Sequence, residues 1–452
     1  MHPRNLTISE AAEAIANKEL SPVTLMESFL DRIRKLEPSL KAWVTLDEES
    51  ALQSAKIAEI EIARNGSKGY LHGIPIGAKD IYYTKGVLTT AGAPQYSNFV
   101  PDWDATSIAK LKKSGAIIIG KAVTTQFANG DPSITYNPWN PLHTPGGSSS
   151  GSAVAVATRM CSAALGSQTG GSTLRPAIYN GVVGLKPTYG RISRYGVVPF
   201  SWSLDTVGII ARTTKDSAIL LQSMAGHDPY DDSSSLQPVD NYLSRLEKTS
   251  KPPKIGVIRE FFYENSSKEI QEKTDATLDS LKAAGAKVKG ISLPKSFYVH
   301  ESARNVVMNV DAAAFHKKMY EKNADDYGPH LRKIIEVGML VPGEHYLQAQ
   351  RVRAQFRKDA TALLDDVDIL ITPATPTAAP KDRGTTGNPV FQASWTSAGL
   401  PSIGIPCGTD SEGMPIGIQL ISSPFAESDL LGAAQWCESV LDINLLPPSL
   451  GD

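Results

Sequence analysis

The chain has 452 residues, 41% of them hydrophobic and 20% charged, which is ample material for a folded core and excludes a disordered chain. A formal net charge of −2 supplies no overall basic footprint, so neither nucleic acid nor an anionic membrane surface is an expected partner. Three cysteines, Cys161, Cys407 and Cys437, are odd in number and far apart. They argue against a disulfide framework and for a reducing, cytoplasmic setting, and neither a secretion-signal core nor a spanning apolar run is present.

The first elements read as helices. Residues 9–15 begin at Ser9 with a capping residue type, and residues 21–33 carry Pro22 in the first turn, where a missing N–H costs nothing. Strand-like and helix-like runs then alternate. Ile74-Pro-Ile-Gly-Ala78 is an apolar strand ending at Lys79, residues 104–113 have helical spacing, Gly115 can end that helix, and residues 116–119 form a short buried strand. Residues 151–158, rich in Ala and Val, predict a helix packed tightly on the sheet. The polar stretch 228–253 reads as a surface connection, and residues 254–258 restart the strand pattern. Residues 268–365 are largely helical, and further strands follow at 367–371, 403–405 and 417–421.

This grammar predicts an α/β fold around one large mixed, mostly parallel sheet covered by helices. A single domain over 1–452 is expected: an N-terminal helical layer (1–65), a core (66–225), a helical variable region (226–365) and a C-terminal part completing the sheet (366–452).

The densest chemistry lies between residues 144 and 188. Two glycine-serine loops, Pro145-Gly-Gly-Ser-Ser-Ser-Gly-Ser152 and Gly166-Ser-Gln-Thr-Gly-Gly-Ser172, can place hydroxyls beside bare backbone N–H groups. Acyl chemistry needs that combination of a nucleophilic oxygen and donors where an oxyanion forms, together with a proton acceptor. Lys79, ending an apolar strand, can be desolvated into a base. Rival readings of these segments are weaker. A Gly/Ser linker would not run straight into an apolar helix, and the phosphate-cradling patterns are absent. No elbow motif marks His72, His143 or His227 as part of a histidine triad, and no zinc-ligand spacing occurs.

Gly73-Ile-Pro-Ile-Gly-Ala-Lys79-Asp80, Gly-Gly-Ser-Ser-Ser-Gly-Ser152, Gly-Gly-Ser172 and Gly181-Val-Val-Gly-Leu-Lys-Pro-Thr188 together resemble the amidase signature family. The resemblance continues through residues 399–406 and 417–421, so it covers nearly the whole chain. It implies helices on both sheet faces and a Ser-Ser-Lys triad: Lys79 as base, Ser148 as a bridging serine after a cis peptide bond, and Ser172 as nucleophile, 24 residues further on. It also assigns the oxyanion hole to Thr169, Gly170, Gly171 and Ser172.

Three positions depart from the commonest family pattern. Gln168 stands where Asp is usual, Leu174 followed by Arg175 stands where Arg is usual, and Gln126 stands where Glu is usual. The resemblance implies no cofactor and no metal, a small-molecule amide as substrate, and allows a homodimer. Phe127, Phe391 and Trp395 are candidate walls of the substrate pocket. Residues 387–397 look more like a stand-alone bacterial amidase. The alternatives are the glutaminase component of a tRNA-dependent amidotransferase, acting with partner subunits, and a catalytically silent binding protein.

Overall fold

Eleven strands join into one sheet in the computed structural model, which describes residues 2–248 and 251–448. They are β1 (Trp43–Leu46), β2 (Pro75–Lys79), β3 (Ile117–Ala122), β4 (Ala163–Gln168), β5 (Val183–Lys186), β6 (Thr206–Ala211), β7 (Lys254–Val257), β8 (Lys287–Gly290), β9 (Ile369–Pro373), β10 (Ser402–Thr409) and β11 (Pro415–Ile421). Their spatial order is β1-β3-β2-β4-β6-β5-β10-β11-β9-β7-β8, and helices cover the sheet.

The α/β fold and its mixed sheet are as expected, but a parallel majority is not found. Six of the ten pairings are antiparallel, among them β4 with β6, β6 with β5, and β10 with β11. Antiparallel neighbours need only a turn between them, whereas parallel ones need a crossover. The β10–β11 turn is closed by Asp410 Oδ1, which accepts from Glu412 N at 3.0 Å and from Met414 N at 2.7 Å.

Chain chemistry sets the helix starts. Thr7 and Glu10 form a reciprocal cap on the helix Ile8–Ala16, and Ser21 caps Pro22–Leu40 with proline in the first turn. The region expected to be largely helical carries Lys268–Ala283, Phe297–Tyr320, Pro329–Leu340 and Gly343–Ala362. It also carries β8, an edge strand whose Lys287-Val-Lys-Gly290 sequence stays mostly exposed and so lacks a buried apolar run. The connection 228–253 contains a short helix, Tyr242–Lys248.

Two features position the site. β2 and β4 are parallel neighbours, with Ile76, Gly77 and Ala78 opposite Ala163, Ala164 and Leu165. Lys79 and the end of β4 therefore emerge at the same sheet edge, where α/β proteins place ligands. The helix Ser150–Ala157 is buried along its whole length. Its small residues allow that contact: a Cβ on Gly151 would lie 2.2 Å from Ala42 O and 2.4 Å from Val123 N.

Candidate active site

Lys79 is fully buried at the end of β2, and its Nζ donates to Ser148 Oγ at 2.7 Å and to Ser167 Oγ at 2.8 Å. Burial pushes its pKa well below the ordinary lysine value, against a smaller upward pull from the Asp205 carboxylate. A neutral amine at this point is able to accept a proton. Ser148, also buried, follows a cis peptide bond from Gly147, and the loop then enters the helix Ser150–Ala157.

Ser172 differs from both, since it is only partly buried and faces a cleft of about 720 Å³. Thr169, Gly170 and Gly171 line the same cleft. Among the described residues, the four N–H groups of Thr169, Gly170, Gly171 and Ser172 find no acceptor in the chain. Such a run of free donors is suited to a developing negative charge. No hydrogen bond joins the Ser148 and Ser172 hydroxyls, although the two loops touch through Ser149 N and Ser172 O at 3.3 Å.

Gln168 explains how the donor loop holds its shape without the more usual carboxylate. Its Oε1 accepts from Thr173 N at 3.0 Å and Leu174 N at 3.1 Å, and its Nε2 donates to Thr396 Oγ1 at 3.0 Å. Thr396 in turn donates to Gly170 O at 2.8 Å, so one amide ties both ends of the loop to the helix Val390–Ala398. Gln126 has a comparable tethering role: Nε2 donates to Asp326 O at 2.6 Å and Oε1 accepts from Gly328 N at 2.7 Å. Leu174 is core.

The expected pocket walls are corrected by the packing. Phe391 and Trp395 are fully buried in an apolar cluster with Phe262, Phe297 and Phe356. Phe127 is buried against His316 and Tyr327. None of the three is among the residues that line the Ser172 cleft. Sequence reasoning misses the roles of the residues that do surround the centre. Ser167 and Asp205 flank Lys79, and Asp205 Oδ1 accepts from Thr169 Oγ1 at 2.5 Å. Arg175 Nη2 donates to Gly147 O at 2.7 Å and Thr386 Oγ1 at 3.0 Å, clamping the loop that carries Ser148. Ser167 lies inside the glycine-serine run, which is the signal that could have found it, whereas Asp205 has no local signal.

A second cleft of about 630 Å³ is lined by Ser167 and Asp205 and shares Ala128, Thr169 and Phe200 with the first. The three cysteines are free and buried, and no helix among the described residues is long and apolar enough to cross a membrane.

Fold and contacts define an α/β protein with a buried lysine–serine pair at the carboxyl edge of its sheet. Residues 24–431 match the Amidase family, and the chain belongs to it. It is 37% identical over 466 residues to the glutamyl-tRNA(Gln) amidotransferase A subunit of Geobacter sp. (strain M21), covering 95% of this chain and 96% of that one. Its counterpart from Desulfatibacillum aliphaticivorans is 36% identical, over 98% and 99%. Among solved structures, native peptide amidase from Stenotrophomonas maltophilia superposes with a TM-score of 0.87 at 28% identity, covering 98% of each chain. A chain from a vestigial protein complex described as revealing the origins of an s-triazine catabolic enzyme gives 0.90 at 30%, over 96% and 98%. The expected lean toward stand-alone amidases is therefore not supported by likeness, since the amidotransferase relatives are the more similar in sequence.

Proposed function

We propose that the chain is an amidohydrolase that cleaves a C–N bond through an acyl-enzyme on Ser172. One observation carries the reading: the Lys79–Ser148 hydrogen bond lies behind a cleft-facing Ser172 whose loop offers four N–H groups without acceptors. Neutral Lys79, which turns its lone pair to Ser148 while an N–H stays on Ser167, takes the Ser148 proton as Ser148 takes that of Ser172, and the Ser172 oxygen attacks the amide carbon. The oxyanion is held by the amides of residues 169–172. The proton returns through Ser148 to the leaving nitrogen, and water attacks the ester by the same relay. The relay requires Ser172 to turn toward Ser148, as catalytic contacts often tighten only around a substrate.

A second reading is supported by the amidotransferase relatives named above: a glutaminase that releases ammonia for a partner. Ammonia release by the purified chain from simple amides and from glutamine, alone and with candidate partner proteins, tests both. Hydrolysis only of glutamine, and only with a partner, selects the second; no Ser172-dependent hydrolysis in any arm rejects both.

A further inference from the structure

The cleft in front of Ser172 is unevenly charged. Arg175, Arg304 and Lys333 line it, with Asp131 as the one carboxylate among the lining residues. Asp131 is already engaged: its two oxygens accept from His330 N and Leu331 N, both at 3.2 Å, in the first turn of Pro329–Leu340. Arg175 is anchored through Nη2 on the Gly147 carbonyl and Thr386, although among the described residues its Nε and Nη1 find no partner. Arg304 has no such anchor on a loop carbonyl.

Arg304 projects from the helix Phe297–Tyr320 and is only 6% exposed. Among the described residues, Nη2 donates to Asn305 Oδ1 at 2.7 Å, Nη1 has only Met308 Sδ at 3.5 Å, and Nε has no partner. No carboxylate lies within ion-pair distance among the described residues, and the attraction it feels comes from Glu301, an exposed residue on the same helix. Burial without an anion is costly for a guanidinium, which is the side chain best shaped to grip a carboxylate with two parallel hydrogen bonds. The location is equally specific. Nη1 lies 3.8 Å from where a Cβ on Gly170 would sit, beside the row of free N–H groups. Gly170 and Ser172 are two residues apart, a span of at most roughly 7 Å.

We propose that this cleft accepts the monoamide of a short dicarboxylic acid, with the free carboxylate on Arg304 and the amide carbon at Ser172. The proposal rests on the amidohydrolase reading and adds the substrate class. Ser172 Oγ forms a bond to the acyl carbon, the C–N bond breaks, and ammonia leaves with the relayed proton. Water then releases the dicarboxylate. The same charges separate this substrate from glutamine. An α-ammonium beside the carboxylate would meet Arg304 and Lys333, and the one lining carboxylate is occupied by helix N–H groups.

The test compares glutaramate, uncharged hexanamide and glutamine by ammonia release with the full chain. Glutaramate is expected to exceed hexanamide in kcat/KM by roughly 10- to 100-fold, the range for hydrogen bonds to a charged group. Glutamine is expected to fall about tenfold or more below glutaramate. Arg304→Gln should collapse the glutaramate-to-hexanamide ratio toward one. Arg304→Lys, which keeps charge without the fork, should give an intermediate ratio, and it decides the matter where Arg304→Gln does not fold. Equal use of hexanamide and glutaramate, an unchanged ratio in either folded variant, or preference for glutamine overturns the proposal. A binding arm separates it from the catalytic reading: calorimetric titration of Ser172→Ala with glutarate should show saturable binding that Arg304→Gln or Arg304→Lys weakens. Failure of glutarate to bind overturns the carboxylate site, whereas binding without Ser172-dependent hydrolysis overturns the catalytic reading instead.

Discussion

Trp395→Ala is expected to weaken the protein and slow every substrate by the same factor, leaving selectivity intact. The indole is fully buried, stacks on Phe262 at 6.0 Å with ring planes 5° apart, and packs among Phe297, Phe356 and Phe391. Its Nε1 has no hydrogen-bond partner among the described residues, so the loss is one of packing. Removing such a ring costs about 3–5 kcal/mol. With unfolding entropy near 2.1 cal/mol/K per residue, a chain of this length has about 0.9 kcal/mol/K at the midpoint, so Tm should fall by about 3–5 °C. Trp395→Phe keeps most of the ring and should cost about 1 kcal/mol. Activity enters through the next residue, because Thr396 on the same helix holds Gly170 O and the Gln168 side chain. A shifted helix disturbs the donor loop for all acyl groups equally. Calorimetry and kcat/KM over a panel of three or more acyl chains measure both effects. A changed ratio between substrates with Tm unmoved would refute the core assignment and restore Trp395 as a pocket wall.

Labelling separates the serines: a phosphonylating probe should add to the wild type and to Ser148→Ala slowly, but not to Ser172→Ala, as read by intact mass, and adduct surviving on Ser172→Ala reverses the roles. Lys79→Arg should be about as damaging as Lys79→Ala, a loss of roughly 10²–10⁴ in kcat, because guanidinium keeps its proton; substantial activity in Lys79→Arg removes Lys79 as base. Because burial lowers the Lys79 pKa, kcat/KM should rise with pH through that lowered value and then level off, and a rate flat over the range where the protein stays folded contradicts the relay. Gln168→Leu leaves Thr173 N, Leu174 N and Thr396 without their partner at about 1–3 kcal/mol for each buried group, so kcat should drop more than KM changes. An unaltered kcat would show that the loop holds itself.

Sequence is legible where chemistry and local pattern coincide. Ile74-Pro-Ile-Gly-Ala78 is short, apolar and followed by Lys79, and it forms β2. The glycine-serine loops stand at the ends of the elements they interrupt. β4 escapes such a reading, because Ala163-Ala-Leu-Gly-Ser-Gln168 owes its strand conformation to neighbours β2 and β6 on either side, not to β-branched residues. β8 is hidden by its exposure. The antiparallel majority is unreadable because strand direction depends on how long connections return, which local periodicity does not encode. Phe391 and Trp395 mislead for a related reason: proximity in sequence to a core strand says nothing about which face of a helix turns toward the cleft. Arg304 lies on a long helix with no motif, and only tertiary packing brings it beside Gly170.

The burial of Lys79 also couples this chemistry to folding. An unfolded lysine holds its proton up to about pH 10.4, whereas the folded chain releases it at a lower pH. Between those two values the unfolded state binds more protons, so stability rises with pH, by up to about 1.4 kcal/mol for each unit. Below the folded value both states are protonated, and the native chain must enclose a charge. Acid therefore acts on one nitrogen in two ways, silencing the proton acceptor and loosening the protein around it, and alkali reverses both.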